Sequence, residues 1–220
     1  MRENLNTRSY WEHRFSTGDW EKNKGRNQTS NFARGQLPYL QIEKTFNGTI
    51  LDFGCGLGDA IPIYKENFPD AKLLGMDISE SAIEICKREY GSIGTFFQGT
   101  ADDALNVDVI IASNVIEHLD DDKKIITTLL SKCNKLFVIV PYNEEPLHPE
   151  HVNKYTEKYF SGVSKYDYKI FKCHGWSFIG FKELYYGVYF KNIFRFLLGR
   201  PLVRQRKQII FCFPGNQYIN

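Results

Sequence analysis

Apolar residues arrive in short unbroken runs: "TILDF" at 49–53, "KLLGM" at 72–76, "VDVIIA" at 107–112 and "KLFVIV" at 135–140. Runs without strict polar alternation suit strands covered on both faces, as in a parallel sheet. Between them the period becomes helical. Ala82, Ile85, Cys86 and Glu89 follow a cap at Ser79 or Ser81, and Ile125, Ile126, Leu129, Leu130 and Cys133 follow an acidic "DDD" start. The alternation predicts an α/β, Rossmann-like, doubly wound and mostly parallel seven-stranded sheet. Residues 1–46 carry no strand signal and predict an N-terminal helical cap, with the polar "GDWEKNKGRNQTSN" (18–31) as a loop between two helices. Residues 47–220 then form the main body of a single compact domain. After Val140 the sequence turns aromatic and irregular, ending in "KQIIFCF" (207–213) as a last strand. There is no internal repeat and no low-complexity tract.

The first run leads into "ILDFGCGLGD" (50–59), with Gly54, Gly56 and Gly58 at alternate positions. A glycine turn from strand to helix lets the backbone approach a ligand and aim amides at it. A dinucleotide fingerprint would read G-x-G-x-x-G. Here the spacing is G-x-G-x-G and Asp52 precedes it, which disfavours a pyrophosphate and argues against a nicotinamide dehydrogenase. Asp52 suits the ammonium of an amino acid. Asp77, in "LLGMDIS", ends the second strand where an acid accepts hydrogen bonds from ribose hydroxyls. A ligand with a ribose, an amino-acid end and no phosphate is S-adenosylmethionine.

Over residues 48–141 the sequence resembles the class I S-adenosylmethionine-dependent methyltransferases, through "LDFGCGLG" and the second-strand acid Asp77. The resemblance implies that Gly54, Cys55 and Gly56 line the methionine end of the cofactor and that Asp77 and Ile78 meet its ribose and adenine. "GTADDA" (99–104) matches the adenine-contacting turn after strand three. That brings in Thr100, which stands where the family often has aspartate, with Ala101 beside it and Asp102 as a substitute acid. "SNVIEHLDD" (113–121) matches the segment after strand four and puts Asn114 near the methionine moiety. "YWEHRFSTGDWEKNKGRNQT" and "VPYNEEPLHPEHVNKYT" are similar to a bacterial subgroup found with polysaccharide and lipopolysaccharide biosynthesis.

Composition narrows the setting. The 220 residues are 42% hydrophobic, enough for one sizeable core, and the formal net charge of +2 makes nucleic acid an unexpected partner. Five scattered cysteines without a C-x-x-C pair suggest reduced thiols and a cytoplasmic location. The polar start "MRENLNTRSYWEHRF" has no cleavable apolar core, and no run approaches the ~18 apolar residues of a spanning helix.

Methyl transfer from a sulfonium is an in-line displacement, so an acceptor hydroxyl needs positioning and a base. His151 is the first choice for that base and His118 the second, with Glu117 and Tyr142 in reserve. His148 and His151 form an H-x-x-H pair, but the neighbouring prolines oppose a regular helix presenting both ligands, so no metal is expected. His13 and His174 have no functional context. Tyr10 and Trp11 could pack over a sulfonium or simply hold a helix in place. Arg26 and Gln28 are polar candidates for the cofactor carboxylate or the acceptor, or parts of a solvated loop. The basic, aromatic 185–207, with Lys182 just upstream, could touch a membrane surface, hold a phosphorylated substrate, form a dimer contact or pack on the sheet. The expected activity is methylation of oxygen or nitrogen on a small polar acceptor, such as a sugar or glycan precursor. The alternatives are a lipid-like acceptor and a catalytically silent cofactor-binding subunit of a larger assembly.

Overall fold

The computed structural model describes residues 5–173, 190, 192–200 and 207–215. Three helices come first: α1 (Arg8–Ser16), α2 (Asp19–Lys22) and α3 (Gly25–Gln36). The sheet then alternates with helices through β1 (Thr49–Phe53), α4 (Ile61–Asn67), β2 (Lys72–Asp77), α5 (Glu80–Tyr90), β3 (Thr95–Gln98), β4 (Val107–Ser113), α6 (Asp122–Leu130) and β5 (Cys133–Pro141). An edge pair, β6 (Asp167–Lys172) and β7 (Lys207–Pro214), completes seven strands in the order β3-β2-β1-β4-β5-β7-β6. The first five strands are parallel, and β7 runs antiparallel to both β5 and β6.

The four apolar runs become β1, β2, β4 and β5 because each buries both of its faces. On one side Ile50, Ile111, Phe137 and Ile139 pack beneath α4 residues such as Ile61 and Tyr64. On the other, Leu51, Ile110, Leu136 and Val138 join Ile126 and Leu129 of α6. Each such side chain taken fully from water contributes about 1.5–3 kcal/mol. Strand order reverses between β1 and β4, which opens a crevice at the carboxyl ends of these strands. Ser79 caps α5, its hydroxyl accepting from the Ala82 amide at 3.1 Å.

Two features depart from the sequence reading. The polar stretch 18–31 is mostly helical, carrying α2 and the first half of α3. Gly18 (φ 70°) and Lys24 (φ 62°) break the helices there, while Trp20 stacks edge-on to Phe15 at 5.7 Å and lies so close to Gly25 that a Cβ would sit 2.2 Å from its ring. A few aromatic contacts anchor a segment whose composition looks solvated. Strand β6 was hidden in the aromatic region. As an edge strand it has only one partner, and Tyr168 is half exposed, so its apolar signal is weak. No described helix is long and apolar enough to cross a membrane. His174, Lys182 and much of 185–207 lie outside the described residues; those that are described include a helical turn at 192–197.

Candidate active site

The glycine loop sits at the carboxyl end of β1. Gly54 has φ 73°, and a Cβ there would lie 2.4 Å from Val115, so glycine is required on both counts. Asp77, at the end of β2, straps the loop in place. Its carboxylate accepts from the Gly56 amide at 2.8 Å and from the Ser79 amide at 2.9 Å, leaving acceptor capacity for a ligand. Burial pushes the Asp77 pKa up, against the pull of these amides. Asp52 is buried in β1, and burial together with the charge of Asp77 pushes it up to about 7.

A cavity of about 1380 Å³ opens beside this loop. Asp52, Gly54, Cys55, Gly56, Asp77 and Ile78 all line it, as do Thr100, Ala101 and Asn114 from the next two strand ends. Three of the sequence-derived cofactor residues stand back from it. Gly58 faces Tyr90 and Cys86, its would-be Cβ 2.9 Å from the tyrosine ring; its task is the turn. Asp102 follows Ala101 in a short 3-10 turn off the lining, and Asp103 caps that turn by accepting from the Thr100 amide at 2.9 Å. Tyr10 points its hydroxyl at Glu150 and receives a hydrogen bond from Arg14 at 2.8 Å, whereas its neighbour Trp11 reaches the cavity. Gln28 also lines the cavity. Arg26 is engaged by Glu89 (2.7 Å) and Asp59 (3.1 Å).

The same cavity gathers the candidate catalytic residues. Glu117 and His118 lie on a 3-10 turn after β4, and His151 lies on the segment after β5. The Val152 amide donates to the Glu117 carbonyl at 2.8 Å and Tyr155 donates to the Ile116 carbonyl at 3.0 Å, locking the two segments together. The His118 and His151 rings meet edge-to-face at 5.0 Å, and Trp11 stands edge-on to His118 at 5.1 Å. His151 Nδ1 is hydrogen-bonded to the Glu144 carboxylate. Burial lowers the His151 pKa, but that hydrogen bond and the charges of Glu117 and Glu144 outweigh it, so the net shift is upward. His118 is driven down to about 4 by burial and by the charge of His151. Burial raises Glu117 to about 7. Tyr142 donates to Glu157 at 2.5 Å, which raises its pKa and weakens its case as a base.

Sequence reasoning missed a ring of amide and hydroxyl groups at the cavity, in which Gln36 and Gln208 are buried. Gln36 donates to Gln208 (2.9 Å), Gln208 to Asn114 (2.6 Å), Asn114 to Ser113 (3.1 Å) and Ser113 back to Gln36 (2.8 Å). The ring joins α3, β4 and β7. Its only sequence trace is a polar residue inside an apolar strand, Gln208 in "KQIIFCF".

Residues 51–136 match a family model described as a methyltransferase domain. That stretch is similar to a methyltransferase domain. Solved structures share the chain's fold. A structure described as the complex between the Haloferax volcanii Trm112 methyltransferase activator and the putative methyltransferase aligns over 94% of this chain and 98% of its own, with TM-score 0.67 and 13% identity. Phosphoethanolamine N-methyltransferase 2 of Haemonchus contortus, in complex with S-adenosyl-L-methionine, aligns over 84% of this chain and 52% of its own (TM-score 0.58, 14% identity). The YcgJ protein of Bacillus subtilis covers 84% and 98% at TM-score 0.56 and 14% identity. The matched stretch supplies the glycine loop and both acids, and the cavity extends past it to the segment after β5 and to Lys207 and Gln208 of β7.

Proposed function

We propose that the chain transfers the methyl group of S-adenosylmethionine to an oxygen or nitrogen of a small polar acceptor, a sugar or glycan precursor being the class the site suits best. The observation that carries this reading is a single cavity lined at one end by the glycine loop with two buried acids and at the other by Glu117, His118 and His151. The residues fit the cofactor. Asp52 has the charge and burial to meet an ammonium, Asp77 has acceptor capacity for ribose hydroxyls, and Gly54 has no room for a side chain. Bound there, the cofactor supplies an electrophilic methyl group.

The chain's own residues hold the acceptor and exclude water. In this reading Glu144 fixes the His151 tautomer with a proton on Nδ1, so Nε2 is the atom that takes the proton of an acceptor hydroxyl. Trp11, Glu150 and Arg14 form the wall behind His118, with Arg14 paired to Glu150 at 2.8 Å. Lys207 and Gln208 add polar contacts suited to a hydroxylated or phosphorylated acceptor. A reducing, cytoplasmic setting belongs to the same reading, supported by five cysteines in no disulfide, four of them buried.

The test is to incubate the protein with methyl-labelled S-adenosylmethionine and panels of free sugars, nucleotide sugars, amines and lipids. Label on a sugar or its precursor supports the assignment; label on amines or lipids alone refutes the acceptor class. One observation favours a second reading, a lipid-like acceptor: Phe194, Phe196, Leu197 and Leu198 are all at least 66% exposed around Arg195. Cofactor binding without turnover on any panel would leave the silent-subunit alternative.

A further inference from the structure

Glu117, His118 and His151 each offer one donor atom, and the three atoms lie within 4.8 Å of one another. Glu117 is only 1% exposed, and its Oε2 is buried with no hydrogen-bond partner. An orphan carboxylate oxygen costs roughly 1–3 kcal/mol or more, so a buried one calls for an occupant. The two histidines are oriented from behind. His118 Nδ1 lies 3.2 Å from the Glu150 carbonyl, which can only accept, so that nitrogen carries the proton. His151 Nδ1 is likewise committed to the Glu144 carboxylate. In both rings the lone pair is left on Nε2. A ring whose far nitrogen is held by a carbonyl or carboxylate is how proteins prepare a histidine to bind metal. These supports are anchored in turn, since Glu150 is held by Arg14 and Tyr10.

We propose that Glu117, His118 and His151 form a two-histidine, one-carboxylate site for a divalent transition-metal ion of the zinc type, with its open position facing the acceptor. Two imidazoles and one carboxylate with a free fourth position match catalytic zinc chemistry, and imidazole donors disfavour magnesium and calcium. Ligand atoms around such an ion stand about 3.4 Å apart, given bonds of about 2.1 Å. Side-chain movements of about 1 Å would therefore close the site. The H-x-x-H pattern in the sequence obscured this, because the third ligand comes not from His148 but from the turn after β4. The inference rests on the methyltransferase reading for the ion's task. A hydroxyl placed on the open position would lose its proton to water near neutral pH, and His151 would then serve as ligand in the loaded protein rather than as free base.

The test uses the full chain, stripped with chelator and titrated calorimetrically with zinc alone, with magnesium as control. One zinc per chain is expected, with magnesium not binding. Glu117→Gln and His151→Ala should each weaken zinc binding by at least about 10–100-fold, and Glu144→Gln by about 10–100-fold through its hold on His151. Cobalt substitution should give visible absorption that Glu117→Gln alters. Cofactor affinity and melting temperature, measured on each variant, show that it is folded. Zinc that fails to bind, or that binds all variants equally, overturns the proposal; the second result would point to the cysteines. Failure of the methyltransferase reading shows separately, as absence of cofactor binding with the zinc titration intact. If chelated protein keeps full turnover that zinc does not raise, the ion's role in the reaction is overturned.

Discussion

The two ends of the cavity are built differently. The glycine-loop end comes from one continuous strand-turn-helix-strand unit, residues 50 to 79, closed by hydrogen bonds that the Gly56 and Ser79 amides, 21 and 2 positions away, donate to Asp77. The other end is assembled from remote pieces. Gln36 meets Gln208 across 172 positions, Arg14 meets Glu150 across 136, and His118 meets the Glu150 carbonyl across 32. A local unit carries its geometry wherever its chain segment goes, so it can serve many reactions unchanged. An end gathered from several segments can vary piece by piece, which is what acceptor specificity needs.

If this division is real, substitutions at the two ends should separate binding from turnover. The largest effect is expected for His151→Ala, which should cut turnover by about 10²–10⁴-fold while cofactor affinity measured by calorimetry stays nearly constant. Turnover near normal in that variant but lost in His118→Ala would move the proton acceptor to the turn after β4.

Asp77→Ala should do the reverse, weakening cofactor binding by about 1–3 kcal/mol, since an acceptor for ribose hydroxyls is lost and the Gly56 amide is released. The chain should still fold. Unchanged affinity would reduce Asp77 to a loop strap.

Gln36→Ala probes the hydrogen-bonded ring within that second end. It strands Gln208 and Ser113 in a buried setting and should lower stability by about 1–3 kcal/mol, read as a drop in melting temperature. Acceptor KM should change more than cofactor affinity; equal changes would mean that the ring supports both ends alike.

The smallest effect is in pH. Asp52 titrates at about 7 in the ligand-free fold, against about 4 in an unfolded chain, so between those values the folded state holds the extra proton. Its contribution to stability is therefore full below pH 4 and falls as pH rises to about 7, with Glu117 adding a slope of the same sign. Cofactor binding runs the other way. An ammonium needs the ionised acid, so affinity should rise by about fivefold from pH 6 to pH 7 and level off near pH 8, and Asp52→Asn should flatten this trend and shrink the other. A wild-type affinity independent of pH would remove Asp52 from the ammonium site.

Much of this protein was legible before the fold was seen. The runs at 49–53, 72–76, 107–112 and 135–140 all became strands within two residues of their ends, because a strand buried on both faces must be apolar throughout. Ser79 was legible as a cap, and Gly54 as the turn after β1 with Asp52 and Asp77 beside it, since a strand end, a turn and a helix start place them by local geometry alone. The edge strand β6 and the helices within 18–31 were not, because their stability comes from partners elsewhere: β7 for the one, Trp11 and Phe15 for the other.

The sequence by itself determined the sheet, the glycine turn and the two acids beside it, all set by periodicity and by spacings of a few residues. Only the tertiary structure decided how the candidate histidines are held. It brought Glu117 and His118 against His151, turned Glu144 and Glu150 into supports for the two rings, and closed four amide and hydroxyl groups into a ring. Those contacts depend on how β5, β7 and the N-terminal helices pack on the parallel core, and burial there sets the pKa values. Neither packing nor burial is written in the spacing of residues along the chain.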